Sequence, residues 1–291
     1  MSAGPDLAIV ITTYDVRDLL LRCLDALKKA TGSLRVEVVV IDNGFQDDSW
    51  QSLVKRGDVR AVRGSSDLGF GGANNIGAQV PQAPIILFLN PDTEPEPDSI
   101  QLLTEALARR PDVAVVGPFL YLDDGRLDPA ARRNFPNPVN AMHRFLGASR
   151  TLGKLLTRPY NEPPVAGCEE DVVDAVSGAC LLVRREAFEE IGGFDPRYFM
   201  YGDDLDLQRR IFDCGWKALY LPTARVRHRK RKSSQQRPLR TRFEFYRSMW
   251  IYYHSHHGAD PLLVKASVSV GIILFGAAAV FRRMLPGRLG F

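Results

Sequence analysis

Asp92 closes the run Ile-Ile-Leu-Phe-Leu-Asn-Pro-Asp at 85–92, and that position singles it out. A continuous apolar stretch ending on a carboxylate is the pattern of a buried strand with a charged tip. In open α/β sheets the ligand crevice lies just outside such tips. A carboxylate there could bind a divalent cation through oxygen and share it with the phosphates of a ligand. Asn90, Pro91 and Asp92 are also common turn formers, so the run alone leaves a plain turn open. Asp42 repeats the pattern behind 38–41. It could accept hydrogen bonds from a base or a ribose, or it could simply cap a turn.

Asp203, Asp204 and Asp206 lie in Gly-Asp-Asp-Leu-Asp-Leu at 202–207. The first turn of a helix favours negative charge. Three like charges in four residues still repel unless a cation, an arginine or a substrate answers them. A carboxylate at the mouth of a cleft can act as general base toward a hydroxyl. His228 falls in the basic run Arg-Val-Arg-His-Arg-Lys-Arg-Lys at 225–232. It is either a metal ligand or one more member of a basic loop, and such a loop is solvated or meets phosphates of a ligand or a lipid surface. The turn Gly69-Phe70-Gly71-Gly72 is only loosely a phosphate cradle. It lacks both the Lys-Ser/Thr of a P-loop and the strand-first order of a dinucleotide fingerprint.

Strands and helices alternate behind these residues. Short apolar strands are predicted at 7–11, 36–41, 59–62, 85–89 and 113–116, with helices starting at 19, 50 and 73 and an amphipathic helix over 99–109. That alternation predicts a mostly parallel sheet with helices on both faces. Residues 127–164 are rich in Pro, Arg and Asn and read as a long loop with a short helix near 139–146. A β-like run follows at 172–183, then helices at 186–191 and 205–214 and a last strand at 216–221.

With 291 residues, 45% hydrophobic and 25% charged, the chain can form one large α/β domain or two modest ones. The net charge of +4 is mild. The basic run lacks interleaved aromatics, so a nucleic-acid partner is not expected. Cys23, Cys168, Cys180 and Cys214 form neither a zinc pattern nor a disulfide framework, which fits a reducing compartment. No secretory signal is read in the opening residues, and a cytoplasmic location is expected. Residues 262–281 are apolar apart from Lys265, Ser267 and Ser269, and Arg282 and Arg283 follow. About twenty such residues suffice to span a bilayer. A surface or partly inserted helix, a true span and a soluble packing helix are the three readings, and membrane association is favoured.

The segments 7–14, 38–43, 68–77, 87–93, 177–184 and 192–207 together resemble, in that order, those of family 2 inverting glycosyltransferases of the GT-A fold, and above all a bacterial rhamnosyltransferase-like branch. The resemblance covers residues 7–230. It implies a GT-A-type domain over 1–235, a mostly parallel sheet flanked by helices, with 236–291 as a C-terminal helical, membrane-associating extension. It also implies a nucleotide-sugar donor, Mg²⁺ or Mn²⁺, and direct displacement with inversion at the anomeric carbon. By position, Thr12, Thr13, Tyr14, Asp42, Asn43, Gly69, Asn75, Asn90 and Arg209 would face the donor. Asp92 and His228 would hold the metal. Asp203-Asp204 matches the acidic pair before the helix, with Asp204 as base. Asn90 stands where the family has its first Asp, Asp15 where Asn is usual, and Asp203 where Glu is usual; Phe45 and Gln46 interrupt the usual run after Asn43. dTDP-rhamnose is the leading donor, with UDP-linked hexoses or furanoses open. The acceptor is expected to be a saccharide or lipid-linked saccharide at the inner face of the cell membrane, in cell-surface polysaccharide synthesis. A nucleotidyltransferase and a catalytically silent nucleotide-sugar-binding or membrane scaffold protein are the rivals.

Overall fold

Strand β1 (Leu7–Thr13) is apolar on both faces, and Leu7 to Ile11 are wholly shielded from water. Such a strand belongs at the centre of a sheet covered on both sides. The computed structural model describes residues 4–44, 47–64, 68–137, 160–161, 169–230 and 238–284. In it β1 pairs in parallel with β2 (Val36–Asp42) on one side and β4 (Ile85–Leu89) on the other. β3 (Arg60–Arg63) extends the parallel set beyond β2. β5 (Thr93–Pro95), β6 (Val113–Tyr121), β7 (Arg132–Arg133), β8 (Asp171–Val173), β9 (Ala175–Val176), β10 (Cys180–Arg184) and β11 (Lys217–His228) complete the strands. The main sheet runs β3-β2-β1-β4-β10-β6-β11-β5, with β8 also on β11. β10 is antiparallel to both β4 and β6, and β6 and β11 are parallel, so a wholly parallel half is joined to a mixed one.

Alternation along β2 places the helices. Val38 and Val40 point into the large core with Leu20, Leu24 and Leu53, which belong to α1 (Arg17–Ala30) and α2 (Ser49–Val54). Val39 and Ile41 point the other way, to Ala73 of α3 (Gly69–Gln79). Successive side chains on a strand face opposite sides, so the sheet is covered on both. α4 (Ser99–Arg109) buries Ile100, Leu103 and Leu107 in the large core. α5 (Arg185–Glu190) and α6 (Asp203–Asp213) follow β10, and α7 (Pro238–His256) and α8 (Leu262–Met284) close the described chain.

Several elements differ from expectation in extent. The 172–183 run divides into β8, which pairs with β11, β9, which pairs with β7 in a separate two-stranded sheet, and β10, which enters the main sheet after residues 177–179. β11 runs on to His228, through an irregularity between Leu221 and Arg225. The glycine-rich stretch is the opening of α3 and not a separate turn before it. Its glycines serve close packing: a Cβ on Gly71 would lie 3.0 Å from Cβ of Phe194, and one on Gly77 would lie 2.3 Å from Cγ1 of Val10. The helix expected near 139–146, with Phe45, Gln46, Cys168, Arg231 and Lys232, lies outside the described residues.

Val10 is β-branched and fully buried, so it cannot swing aside to admit a methyl group. Gly77→Ala should therefore destabilise the protein by about 1–3 kcal/mol in urea unfolding. Gly57→Ala, where a Cβ meets nothing within 4 Å, should stay within about 0.5 kcal/mol of wild type. Equal midpoints for the two variants would contradict this packing.

Candidate active site

Asp92 and His228 are brought together by a strand register. β5 begins one residue after Asp92 and pairs antiparallel with the end of β11, setting His228 opposite Thr93. The Arg229 N–H donates to the Asp92 carbonyl at 2.9 Å. His228 Nε2 then lies 3.5 Å from Asp92 Oδ1, and Nδ1 lies 2.8 Å from Oδ2 of Asp128. Burial alone would lower the imidazole pKa, but its hydrogen bonds to Asp128 and Asp92 outweigh burial and raise it to about 9. Asp128 is wholly buried. Burial pushes against its charge, yet His228 and Lys230 hold the carboxyl well below the usual range. Among the described residues no group of three or more His, Cys, Asp or Glu side chains converges on a metal position. Asp92 and His228 fit a divalent cation as a carboxylate–imidazole pair that leaves the other coordination positions to ligand phosphates and water.

The basic run around His228 is not a free phosphate-binding loop over its described part. Arg225 pairs with Glu96, Arg227 and Arg229 with Glu94 and Asp123, and Lys230 with Asp128.

The nucleoside end of the expected site lies two strands away. Thr13 is in register with Asp42 across β1 and β2, and Ile11 with Leu89 across β1 and β4, so the three strand tips share one edge. Asp42 is buried, and burial raises its pKa even though the Gly44 N–H donates to Oδ1 at 3.1 Å. Thr12 Oγ1 donates to Asn74, and Asn43 Nδ2 donates to the Gly69 carbonyl at 3.3 Å. Thr13 Oγ1, Asn43 Oδ1 and Asn74 Nδ2 are buried with no hydrogen-bond partner among the described residues. Buried polar atoms are nearly always paired, which makes these three candidates to meet a polar ligand. Tyr14 is half-buried beside it.

Two expected donor contacts are engaged elsewhere. Asn75 gives Nδ2 to the Phe194 carbonyl at 2.8 Å and takes the Phe194 N–H at 2.9 Å, so it ties α3 to the loop before α6. Arg209 donates to Asp213 at 2.9 Å and stacks over Phe135. Neither is drawn into the strand-tip cluster by these contacts.

The acidic turn of α6 has three different answers to its charge. Asp204 receives two hydrogen bonds on Oδ2, from Arg133 at 2.5 Å and from the Gly178 N–H at 2.8 Å, and Oδ1 has a longer contact with Arg133 at 3.4 Å. Asp206 is bound by Arg210 at 2.8 Å, His256 Nε2 at 2.8 Å and Tyr198 at 3.3 Å. Asp203 is buried, and its Oδ1 takes the Asp204 N–H at 3.0 Å. Its Oδ2 has no partner among the described residues. Burial, and then the charge on Asp204, push its pKa up to about 7.

One turn joins the two halves of the site. The Gly178 N–H reaches Asp204, and the next residue, Ala179, accepts the Asn90 N–H on its carbonyl at 2.9 Å. Asn90 is two residues from Asp92. A Cβ on Gly178 would lie 2.8 Å from Cβ of Asp204, so only glycine lets the turn approach.

A family model for "Glycosyltransferase like family 2" matches residues 5–243. The chain belongs to this family. It is a glycosyltransferase, and the strand-tip edge with its acidic helix is the region of the fold where that chemistry is expected. An N-acetylglucosaminyl-diphospho-decaprenol L-rhamnosyltransferase of Mycobacterium tuberculosis is 34% identical over 264 residues, covering 86% of this chain and 85% of its own. The O-antigen biosynthesis protein RfbC of Myxococcus xanthus is 29% identical over 79% of this chain and 18% of its own. Among solved structures, a Pyrobaculum calidifontis mannosyltransferase in complex with GDP-Man and Mn²⁺ covers 99% of this chain and 77% of its own, with a TM-score of 0.59 at 16% identity. GalNAc-T7 with UDP, GalNAc and Mn²⁺ covers 79% of this chain and 45% of its own, with a TM-score of 0.58 at 20% identity. These two show the shared GT-A fold.

Sequence reasoning missed Asp128, Arg133 and Gly178. Asp128 and Arg133 fall in a loop without periodicity, and Gly178 is one glycine among 24. A cue was present in the three clustered acids, which demanded a nearby cation without indicating which one.

The raised acid Asp203 has a pH signature. A carboxyl whose folded pKa exceeds its unfolded one binds its proton more tightly in the folded state, so it adds stability as pH falls from about 7 toward 4 and weakens the fold above 7. Asp203→Asn removes that dependence. The variant should melt above wild type at pH 8 by at least ~3 °C, the size of about 1 kcal/mol in a domain this large. The gap should shrink as pH falls toward 4 in thermal scans. A gap independent of pH would contradict the assignment.

Proposed function

We propose that this glycosyltransferase moves a hexose, with dTDP-rhamnose the leading donor, to a lipid-linked saccharide at the inner face of the cell membrane, inverting the anomeric centre. The single observation that carries the reading is the turn at 177–179, which ties the Asp92 strand tip to Asp204 through consecutive peptides. On this reading it links the edge that would bind the cation to the carboxylate that would activate the acceptor. The mycobacterial relative, an L-rhamnosyltransferase of N-acetylglucosaminyl-diphospho-decaprenol, supports both the sugar and the lipid diphosphate acceptor.

Asp42, Thr13 and Asn43 form the polar edge for the nucleoside. Asp92 and His228 would hold Mg²⁺ or Mn²⁺, which supplies charge neutralisation to the departing diphosphate. Asp204 is the base. Arg133, buried, orients that carboxylate through Oδ2 and leaves Oδ1 the less engaged oxygen. Oδ1 takes the proton of the acceptor hydroxyl as its oxygen attacks the anomeric carbon. The bond from that carbon to the diphosphate breaks on the opposite face, and the nucleoside diphosphate leaves with the electron pair.

Helix α8 supports the membrane location. Its segment Leu262–Phe281 has mean hydropathy 2.1 and is only 11% buried, the one helix among the described residues long and apolar enough to cross a bilayer. Tyr246 of α7 lies against Gly276 of α8, and α7 is bound to the body through His256 and Asp206. An apolar surface is thus fastened to the helix that carries Asp204.

Two experiments follow. A panel of dTDP-rhamnose, UDP-galactose, UDP-glucose, UDP-N-acetylglucosamine and GDP-mannose, with and without Mn²⁺, should show metal-dependent binding of one donor, and NMR of the product should show the inverted anomer. Retention, or no binding by folded protein, would contradict the reading. For the membrane, Leu263 and Leu274 are 82% and 63% exposed, and burying a leucine is worth about 1.5–3 kcal/mol. Leu263→Glu with Leu274→Glu should lower partitioning onto anionic vesicles at least ~10-fold in sedimentation. Unchanged partitioning would contradict docking through α8.

A further inference from the structure

The Asp128–His228 contact has no place in the mechanism so far, yet it is among the most buried polar arrangements in the molecule. Asp128 is 0% exposed and His228 is 6% exposed. The Asp128 carboxylate is met by donors: His228 Nδ1 at 2.8 Å on Oδ2, and Lys230 and the Ala130 N–H at 2.9 Å on Oδ1. Taking a carboxylate wholly out of water is costly unless such donors replace the water. An isolated ion pair with Lys230 would satisfy the charge without the imidazole. The imidazole is instead clamped edge-on, one nitrogen to Asp128 and the other toward Asp92.

An imidazole that ligates a cation has given up one proton, which leaves one N–H and one lone pair, and the partner of the N–H decides which nitrogen is free for the metal. A buried carboxylate accepts and never donates, so it selects the tautomer protonated on Nδ1. That leaves Nε2, the nitrogen 3.5 Å from Asp92 Oδ1, as the one that would exchange its proton for a cation. We propose that Asp128 is a positioning residue that locks His228 in the Nδ1–H tautomer and aims Nε2 at the cation position it shares with Asp92. The inference rests on the metal-binding reading of Asp92 and His228. Asp128 itself would act only through the imidazole. Carboxylates that hold ligating histidines in this way typically change metal affinity by about 10–100-fold when removed.

Among the described residues, the imidazole has its polar contacts with Asp128 and Asp92. Cys23, near Thr93, has its thiol pKa raised to about 12 by burial. Glu94 is paired with Arg229. The chain supplies Asp128 from the segment after β6 and His228 from β11, whose pairing with β6 is parallel. The two residues are 100 positions apart, and the contact is set by the sheet and not by a local turn.

The test uses full-length protein and Mn²⁺ alone, titrated by calorimetry. Asp128→Asn should weaken Mn²⁺ about 10–100-fold, while circular dichroism stays that of wild type. His228→Ala should weaken it at least as much. An unchanged Mn²⁺ affinity in Asp128→Asn, with His228→Ala impaired, overturns the positioning role and leaves the metal reading standing. Unchanged affinity in both overturns the metal reading, and the positioning role with it. Should Asp128→Asn fail to fold, ¹⁵N NMR of the wild-type imidazole decides, with Zn²⁺ as a diamagnetic probe. A protonated Nδ1 and a metal-shifted Nε2 are expected, and the reverse assignment overturns the proposal. A residue that merely stabilised the fold would move neither the affinity of a folded variant nor the tautomer.

Discussion

Three carboxylates in a single helical turn, nearly all out of water, are the constraint around which the rest of this site is arranged. An unanswered buried charge is not tolerated, so each acid must be met by a cation, by backbone donors or by a proton. Asp206 is met by Arg210, His256 and Tyr198, and becomes the bolt that fastens α7 to α6. Asp204 is met by Arg133 and a backbone N–H, which orient it without covering both oxygens equally. Asp203 is left with one buried oxygen unpaired among the described residues and is driven toward the neutral acid. Chemically equivalent side chains thereby meet three different environments, one anchoring, one that orients the carboxylate proposed as base, and one that favours the neutral acid.

The second constraint is topological. Parallel pairing of β1 with β2 and β4 brings Thr13, Asp42 and Asn90 to one edge, as strand order requires. Antiparallel entry of β10 beside β4 is what lets the 177–179 turn sit over that edge and touch both Asn90 and Asp204. Had β10 run parallel to β4, its leading turn would have fallen at the opposite end of the sheet. The short β5 has a comparable effect on the other flank, where its register with β11 carries His228 to Asp92. The Asp92–His228 and Asn90–Ala179 contacts both follow from strand register.

Much of this was legible in the sequence because it depends on local pattern. Apolar runs ending in Asp42 and Asp92 announced strand tips, and the amphipathic spacing of 99–109 announced α4 almost to the residue. The glycine-rich stretch misled in detail, since glycines that let α3 pack against Val10 and Phe194 look the same in sequence as glycines in a loop. The basic run misled for a related reason: the acids that neutralise it, Glu94, Glu96, Asp123 and Asp128, lie some 100 residues or more earlier and meet it only across β5, β6 and β11. Arg133 and Asp128 were illegible because a single charged residue in an irregular segment carries no period. Asn75 and Arg209 occupy the expected positions, yet Phe194 and Asp213 engage their polar groups.

The most direct test of the site is the turnover of Asp204→Asn set against its donor affinity. Asparagine keeps the shape of the side chain and can still accept the Gly178 N–H, but it cannot take a proton at neutral pH. Donor affinity should stay within about threefold of wild type while kcat falls by roughly 10²–10⁴, the usual contribution of a general base. Turnover close to wild type would contradict Asp204 as the base and, with it, the division of labour among the three acids.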